Sequence, residues 1–420
     1  MPTPSLEQFS LYDERFQDGR YEIYDALRTR EPVFWHEETR SWFITRYVDV
    51  SAHLVGDAFL TGPLVRNKMR NVPPGEEGRF QDIVDIVSAW MVYNDRPVHT
   101  RLRSHMNRAF WSREIDLIRP EIRRIVSEQL DLVLERTGGS FDFVEAVAHP
   151  VPAMVLGRML GIPAEEVERF IGWSDDIAAF MQDFVVKAAP DRETGARTRR
   201  SLREIVGFLT RAIEERRRSP RNDLLTRLVV RDADDSGGPG ALTDAEVIRQ
   251  TIHLVFGGHK IPQYLLSNCL HLLLAHPREF AALKADRARV SATVEECIRL
   301  EAPLQYVTRH AKDDIELHGR RIRGGDSVYF FLGAAGRDPE AFEDPGVFRP
   351  GRTGRRHLGF GGGYHACIAA AFARAEVEEV LLGLLDRMPG VAARYDLSRP
   401  RWTPNPTFHG IVTMPVEAEG

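Results

Sequence analysis

The stretch His357-Leu358-Gly359-Phe360-Gly361-Gly362-Gly363-Tyr364-His365-Ala366-Cys367-Ile368-Ala369-Ala370 sets four glycines ahead of a single cysteine and an amphipathic run. Glycines at that density form a loop, because they accept backbone angles closed to other residues and let the main chain approach a large planar ligand. The run that follows, from about Ile368 through Glu376 to Leu385, has helical spacing. Cys367 therefore stands at a helix N-terminus, where the helix dipole and unpaired N–H groups stabilise a thiolate and make the sulfur a strong donor to soft metals. The structural alternative for a lone cysteine is a small buried hydrophobe at a helix start.

The rest of the composition narrows the chemistry. Besides Cys367 there are only Cys269 and Cys297, far apart and odd in total, so neither a disulfide framework nor a cysteine zinc cluster is expected. No Cys-x-x-Cys-His occurs, which removes covalent c-type haem attachment. With 420 residues, 43% of them hydrophobic and 28% charged, the chain can bury a sizeable core. Its 56 basic against 61 acidic residues give a formal charge of -5, which offers no footprint for polyanions, so nucleic acid is not an expected partner. The start, Met1-Pro2-Thr3-Pro4-Ser5-Leu6-Glu7, is neither basic nor apolar, and no run of about 18 uncharged apolar residues follows. A soluble cytoplasmic protein without membrane attachment is the expectation.

Apolar spacing of three to four residues dominates 116–136, 144–160, 164–184, 201–217, 244–275, 288–300 and 367–387, which predicts a mainly helical protein. Shorter β-rich stretches at 33–45, 315–317, 327–331 and 410–415 predict a small β region beside it. With no fixed-period repeat and no Ser/Gly-rich linker, residues 1–420 are expected to form a single domain. Segment 231–240 reads as a mobile surface connection between helices. The basic clusters Arg197, Arg199, Arg200, Arg203 and Arg216, Arg217, Arg218 are interleaved with Glu204, Glu214 and Glu215, as on a solvated helix face.

The cysteine stretch resembles the haem-ligand loop of the cytochrome P450 family, Phe-Gly-x-Gly-x-[His/Arg]-x-Cys-x-[Gly/Ala]. Phe360, Gly361, Gly363, His365, Cys367 and Ala369 fill its places. The resemblance implies the mainly α cytochrome P450 fold with a small β region, haem b (iron protoporphyrin IX) as cofactor, and Cys367 as the thiolate ligand of its iron. It also implies that Phe360 packs on the sulfur side and that His365 faces a haem propionate. Glu296 and Arg299, at i and i+3, resemble the family's Glu-x-x-Arg pair, which joins an arginine of a downstream Phe-x-Pro-x-Arg meander, here Phe348 to Arg352. That network would brace the cysteine loop. By the same resemblance His99 and Arg103, one turn apart, and Arg309 in Thr308-Arg309-His310 bind propionates. Ala335-Gly336-Arg337-Asp338-Pro339 matches a further segment, with Gly336 where Asn is usual.

His253 to Gln263 aligns with the family's oxygen-binding motif [Ala/Gly]-Gly-x-[Asp/Glu]-Thr. Gly257 and Gly258 fit, but Lys260 replaces the acid and Ile261 the alcohol. Proton delivery needs a donor in reach, and Ile261 has none. Pro262 cannot donate to the Gly258 carbonyl and crowds it, so a kink is expected there. A water on that carbonyl, completed by substrate hydroxyls or amines, would give substrate- or water-assisted delivery. Lys260 either carries its ammonium to water or a neighbouring carboxylate, or supplies protons or holds a substrate carboxylate.

The resemblance thus implies a monooxygenase tailoring a small-molecule natural product. Its alternatives are a non-hydroxylating reaction of the same type (oxidative coupling, desaturation, nitration or dehydration) and a non-catalytic haem-binding sensor or pathway partner. The implied substrate-lining residues are Trp90, Met91, Val92, Phe180, Phe184, Phe256, Gly257, Ile261, Gln305, Val307 and Phe408, mostly apolar as small-molecule sites are. The length leaves no room for a fused reductase, so electrons from NAD(P)H are expected through an external ferredoxin reductase and ferredoxin. Arg355 and Arg356, before the cysteine loop, either dock an acidic ferredoxin or form a solvated loop.

Overall fold

The computed structural model describes residues 6, 9–62, 64–65, 78–109, 112–186, 191–230 and 242–419. The segment 231–240 read as a surface connection lies outside them. Two compact units emerge: one from 1–60, 126–148 and 261–420, the other from 61–125 and 149–260. Two long helices, Ser112–Thr137 and Asp244–Ala275, run through both.

Among the described residues, all the strands lie in the first unit. They are β1 (Val33–His36), β2 (Ser41–Ile44), β3 (Phe59–Leu60), β4 (Ser140–Asp142), β5 (Tyr306–Ala311), β6 (Ile315–Leu317), β7 (Arg320–Ile322), β8 (Ser327–Phe331), β9 (Gly390–Ala393) and β10 (Pro415–Glu419). A five-stranded sheet has the order β1-β2-β8-β5-β3; β4-β10-β9 and β6-β7 form smaller ones. β2 runs parallel to β8, with Phe43 opposite Tyr329, while β8 and β5 are antiparallel, with Arg309 opposite Val328. Both faces of the large sheet are apolar. Val33, Ile44, Val328 and Phe330 pack with Leu54 of the Tyr47–Val55 helix, whereas Phe43, Tyr329 and Phe331 pack with Tyr24 and Leu27 of the Glu14–Arg30 helix. Burial on both sides explains why these strands read as continuous apolar runs. The strand expected over 410–415 begins only at Pro415. Before it, Ser267 Oγ takes the Ile411 N–H at 3.2 Å and Asp142 takes that of Met414 at 3.0 Å, so side chains use donors a ladder would need.

The second unit is helical: Gln81–Val87, Val98–Ala109, Pro150–Leu160, Val167–Val186, Arg192–Arg218 and Leu224–Val229. Asp191 caps the longest of these by accepting from the Glu193 and Thr194 amides. Its basic clusters are mostly solvated and paired, as Arg197 is with Glu193 at 3.2 Å. Arg216 is the exception. It is buried, bonds Asp223 at 2.7 Å and donates to the Gly161 carbonyl at 2.7 Å, because that left-handed helix end leaves an acceptor to be satisfied.

Candidate active site

The cysteine loop belongs to the first unit. Gly361 and Gly363 have φ of 70° and 63°, angles that favour glycine. At Gly363 a Cβ would also collide with the Leu54 carbonyl, so the loop can lie on the Tyr47–Val55 helix only without a side chain there. The Gly361 N–H donates to the Leu358 carbonyl at 2.7 Å and the Cys367 N–H to that of Phe360 at 2.9 Å, closing a tight loop around the cysteine. The helix that follows starts at Ala370, two residues later than its spacing suggested, and leaves Cys367 just ahead of the cap at Ala369. Cys367 is exposed, whereas Cys269 and Cys297 are buried. Burial, with Cys269 beside it, pushes the Cys297 thiol well up. Of the three sulfurs, only that of Cys367 is offered to a ligand.

The expected Glu296–Arg299–Arg352 network is formed in the same unit. Arg299 and Glu296, each with a side chain 3% exposed, bond at 2.7 and 2.8 Å, and Arg352 reaches the same carboxylate at 2.8 Å. Arg299 also donates to the carbonyls of Gly336, Pro345 and Val347, at 2.6, 2.8 and 3.2 Å. Gly336 needs no side chain: a Cβ would run into the Arg299 carbonyl. Arg309 is buried on β5 and donates to the Thr308 carbonyl at 2.9 Å. His365, in the short turn Gly363–His365, packs against Tyr364 at 4.5 Å. Arg355 lies over the Tyr47 ring at 5.3 Å.

In the second unit His99 and Arg103 stand one turn apart on the Val98–Ala109 helix, the first buried and the second half-buried, with Arg103 donating to Asn107 at 3.1 Å. Trp90 stacks on Phe256 at 5.6 Å and on His253 at 5.0 Å, and the Met91 N–H donates to Gln250 at 2.8 Å. Phe180 and Phe184 stack at 5.9 Å. Gly257 borders open space, since a Cβ there would meet nothing within 4 Å, whereas Gly258 is packed, its Cβ position 2.9 Å from Leu156 Cδ2.

Val92, Ile261 and Val307 are half-buried, and Phe408, in the first unit, packs on Tyr264 at 6.2 Å. Gln305 differs from these in having its amide engaged at both ends. It is wholly buried in the first unit, where its amide donates to the Ala302 carbonyl at 2.7 Å and accepts from Tyr24 at 3.1 Å. An amide with both ends so engaged is a core residue.

The helix Asp244–Ala275 passes through Pro262 without a break. Just before it, Lys260 pairs with Asp175 of the Val167–Val186 helix at 2.5 Å, and His149 bonds the same oxygen at 3.2 Å. Burial opposes ionisation of Asp175, but His149 and Lys260 outweigh it and hold the group below the usual carboxylate range. The carboxylate reading of Lys260 is the one the side chains adopt. His259 bonds Ser174 at 2.8 Å and the His149 carbonyl at 2.9 Å, and burial pushes it down to about 3. His149, Asp175 and His259 are close enough to hold a metal ion, yet the Lys260 ammonium already supplies the positive charge beside Asp175. Nothing in the local sequence pointed to Ser174 and Asp175, on the Val167–Val186 helix, or to His149, at the start of the Pro150–Leu160 helix, which the fold brings to Lys260.

The family profile described as Cytochrome P450 matches residues 86–388. The chain belongs to the cytochrome P450 family. It is 35% identical over 418 residues to the cytochrome P450 monooxygenase PikC of Streptomyces venezuelae, covering 99% of this chain and 94% of that one. It is 30% identical to the 6-deoxyerythronolide B hydroxylase of Saccharopolyspora erythraea, with 98% of each chain covered. The crystal structure of CalO2 superposes with a TM-score of 0.87 at 27% identity, over 99% of both chains. The P450 fold, an oxidoreductase of the haem-thiolate monooxygenase type and a haem cofactor supplied with electrons by redox partners follow from membership. The residues fit such a group: one accessible sulfur, on a loop kept open by glycines, with no competing exposed thiol. Among the described residues no helix is long and apolar enough to cross a membrane.

Proposed function

We propose that this P450 inserts oxygen into a small-molecule natural product, with Cys367 as the thiolate ligand of haem b and residues 1–420 acting as one catalytic domain. The exposed Cys367 sulfur in its glycine-built loop carries the reading. Bound haem supplies the activation of dioxygen. Phe360 and Gly361 shape the sulfur side, while His365, Arg309, His99 and Arg103 bind the propionates by charge-assisted hydrogen bonds. A relative named for polyketide biosynthesis, the cytochrome P450 PksS of Bacillus subtilis, favours a substrate of polyketide kind. In the second unit, Gly257, with open space beside it, and the half-buried Val92 offer such a substrate apolar surface.

Proton delivery is substrate- or water-assisted. Ile261 carries no donor, and Lys260 is held by Asp175. The Gly258 carbonyl, relieved of its helical partner by Pro262, holds the water that substrate hydroxyls complete. Electrons come from NAD(P)H through a ferredoxin reductase and a ferredoxin in the cytoplasm, the ferredoxin docking near Arg355 and Arg356. Incubation with labelled dioxygen, that redox pair and macrolactone substrates tests the reading. Label in the product is expected; turnover to unlabelled product would favour desaturation or coupling instead.

A further inference from the structure

Glu295, next in the chain to the carboxylate of the bracing network, makes a different set of bonds. It accepts from His357 Nε2 at 3.1 Å and from Arg374, through Nη2 at 3.1 Å and through Nε. His357 stands where the cysteine loop begins, and Arg374 lies on the Ala370–Arg387 helix that follows the cysteine. One carboxylate therefore grips the loop from both ends.

The other ring nitrogen matters equally. His357 Nδ1 accepts the Gly359 N–H at 3.1 Å, so the ring proton sits on Nε2, the nitrogen that faces Glu295. The carboxylate thus fixes both the tautomer and the orientation of an imidazole whose far side pins the loop backbone, as outer-shell carboxylates do for histidines at metal sites. Arg374 adds a second hold, its guanidinium 4.5 Å from the centre of the Phe360 ring, which His357 also flanks at 5.9 Å. Phe360 in turn accepts the Cys367 N–H at 2.9 Å. Burial works to raise Glu295, but the bonds from His357 and Arg374 outweigh it and hold the carboxyl at about 2, an anion throughout the working range.

We propose that Glu295, His357 and Arg374 are positioning residues for Cys367: they fix the backbone of the loop that presents its sulfur, separately from the Glu296 network. The inference rests on Cys367 being the haem ligand. Its test uses purified holoprotein carrying His357→Asn, His357→Gln or Arg374→Lys, read by the ratio of thiolate-type to thiol-type bands in the reduced carbon-monoxide difference spectrum and by the haem reduction potential. Asparagine presents an oxygen near the place of Nδ1 and can still accept from Gly359, whereas glutamine reaches toward Glu295 and leaves that amide unpaired.

The asparagine variant should keep more of the wild-type ratio than the glutamine variant, which should lose about fivefold, the change that one hydrogen bond of ordinary net strength commands. Lysine at 374 keeps the charge without the planar stack and should fall between them. Equal spectra and potentials for the asparagine and glutamine variants would overturn the inference while leaving the ligand assignment standing. A wild-type protein without the thiolate-type band would overturn that assignment, and this inference with it.

Discussion

Two ion pairs of this protein join a cation to a carboxylate at similar distances and differ in what surrounds them. In the Glu-x-x-Arg network, Glu296 and Arg299 are 3% exposed, and Arg299 also donates to the carbonyls of Gly336, Pro345 and Val347. On the central helix, Lys260 and Asp175 are 15% and 40% exposed, with His149 sharing the carboxylate. A charge in the first environment cannot be withdrawn without stranding its partner away from water, whereas water can replace either partner in the second. The frame that holds the cysteine is therefore intolerant of change. The stretch of helix where relatives of the family pattern carry an acid has room for a lysine, because the opposite charge comes from Asp175.

The largest expected effect lies in the frame. Glu296→Ala leaves Arg299 buried without a counter-charge and should cost about 3–5 kcal/mol in urea unfolding of the holoprotein. A loss below about 1 kcal/mol would mean that the network is as replaceable as a surface pair. A smaller effect of opposite sign comes from Glu376, wholly buried in the first unit on the helix after the cysteine. Burial raises its carboxyl from 4.5 to about 8. The folded protein thus keeps a proton that the unfolded chain has already released, and the stability due to this group falls as pH rises from 4.5 to about 8. Glu376→Gln should then stabilise the protein by about 1–3 kcal/mol at alkaline pH and little at acid pH. Parallel melting curves at the two pH extremes would contradict this. The smallest effect belongs to Lys260→Met, expected to change stability by less than about 1 kcal/mol. Product formed per reducing equivalent should stay unchanged, since the ammonium is engaged by Asp175; a collapse in that yield would make Lys260 a proton donor.

The same contrast decides what could be read along the chain. Local signals were sufficient for the long amphipathic helices and for β6 and β8, whose bounds follow their β-rich runs; the Glu296–Arg299–Arg352 network was legible only through the family resemblance. Where a residue's role depends on partners distant in sequence, the linear pattern was silent. Arg216 sat among arginines that read as solvated, yet Asp223 and the end of a helix near Gly161 draw it inside. Gln305 read as pocket lining until Tyr24, far upstream, engaged its amide. Asp175 and His149 gave no signal, because only folding brings their helices to Lys260. His357 and Glu295 were visible as residues, but nothing along the chain joins a histidine before a loop to a carboxylate sixty-two positions away.

The central claim, that the Cys367 sulfur is the ligand around which the first unit is organised, is tested most directly by comparing wild type with Cys367→Ser in a reduced carbon-monoxide difference spectrum. Wild type should show the thiolate-type band and the serine variant should lose it entirely, while Cys297→Ser, at a buried thiol, should keep it. A thiolate-type band that survives in Cys367→Ser would contradict the account.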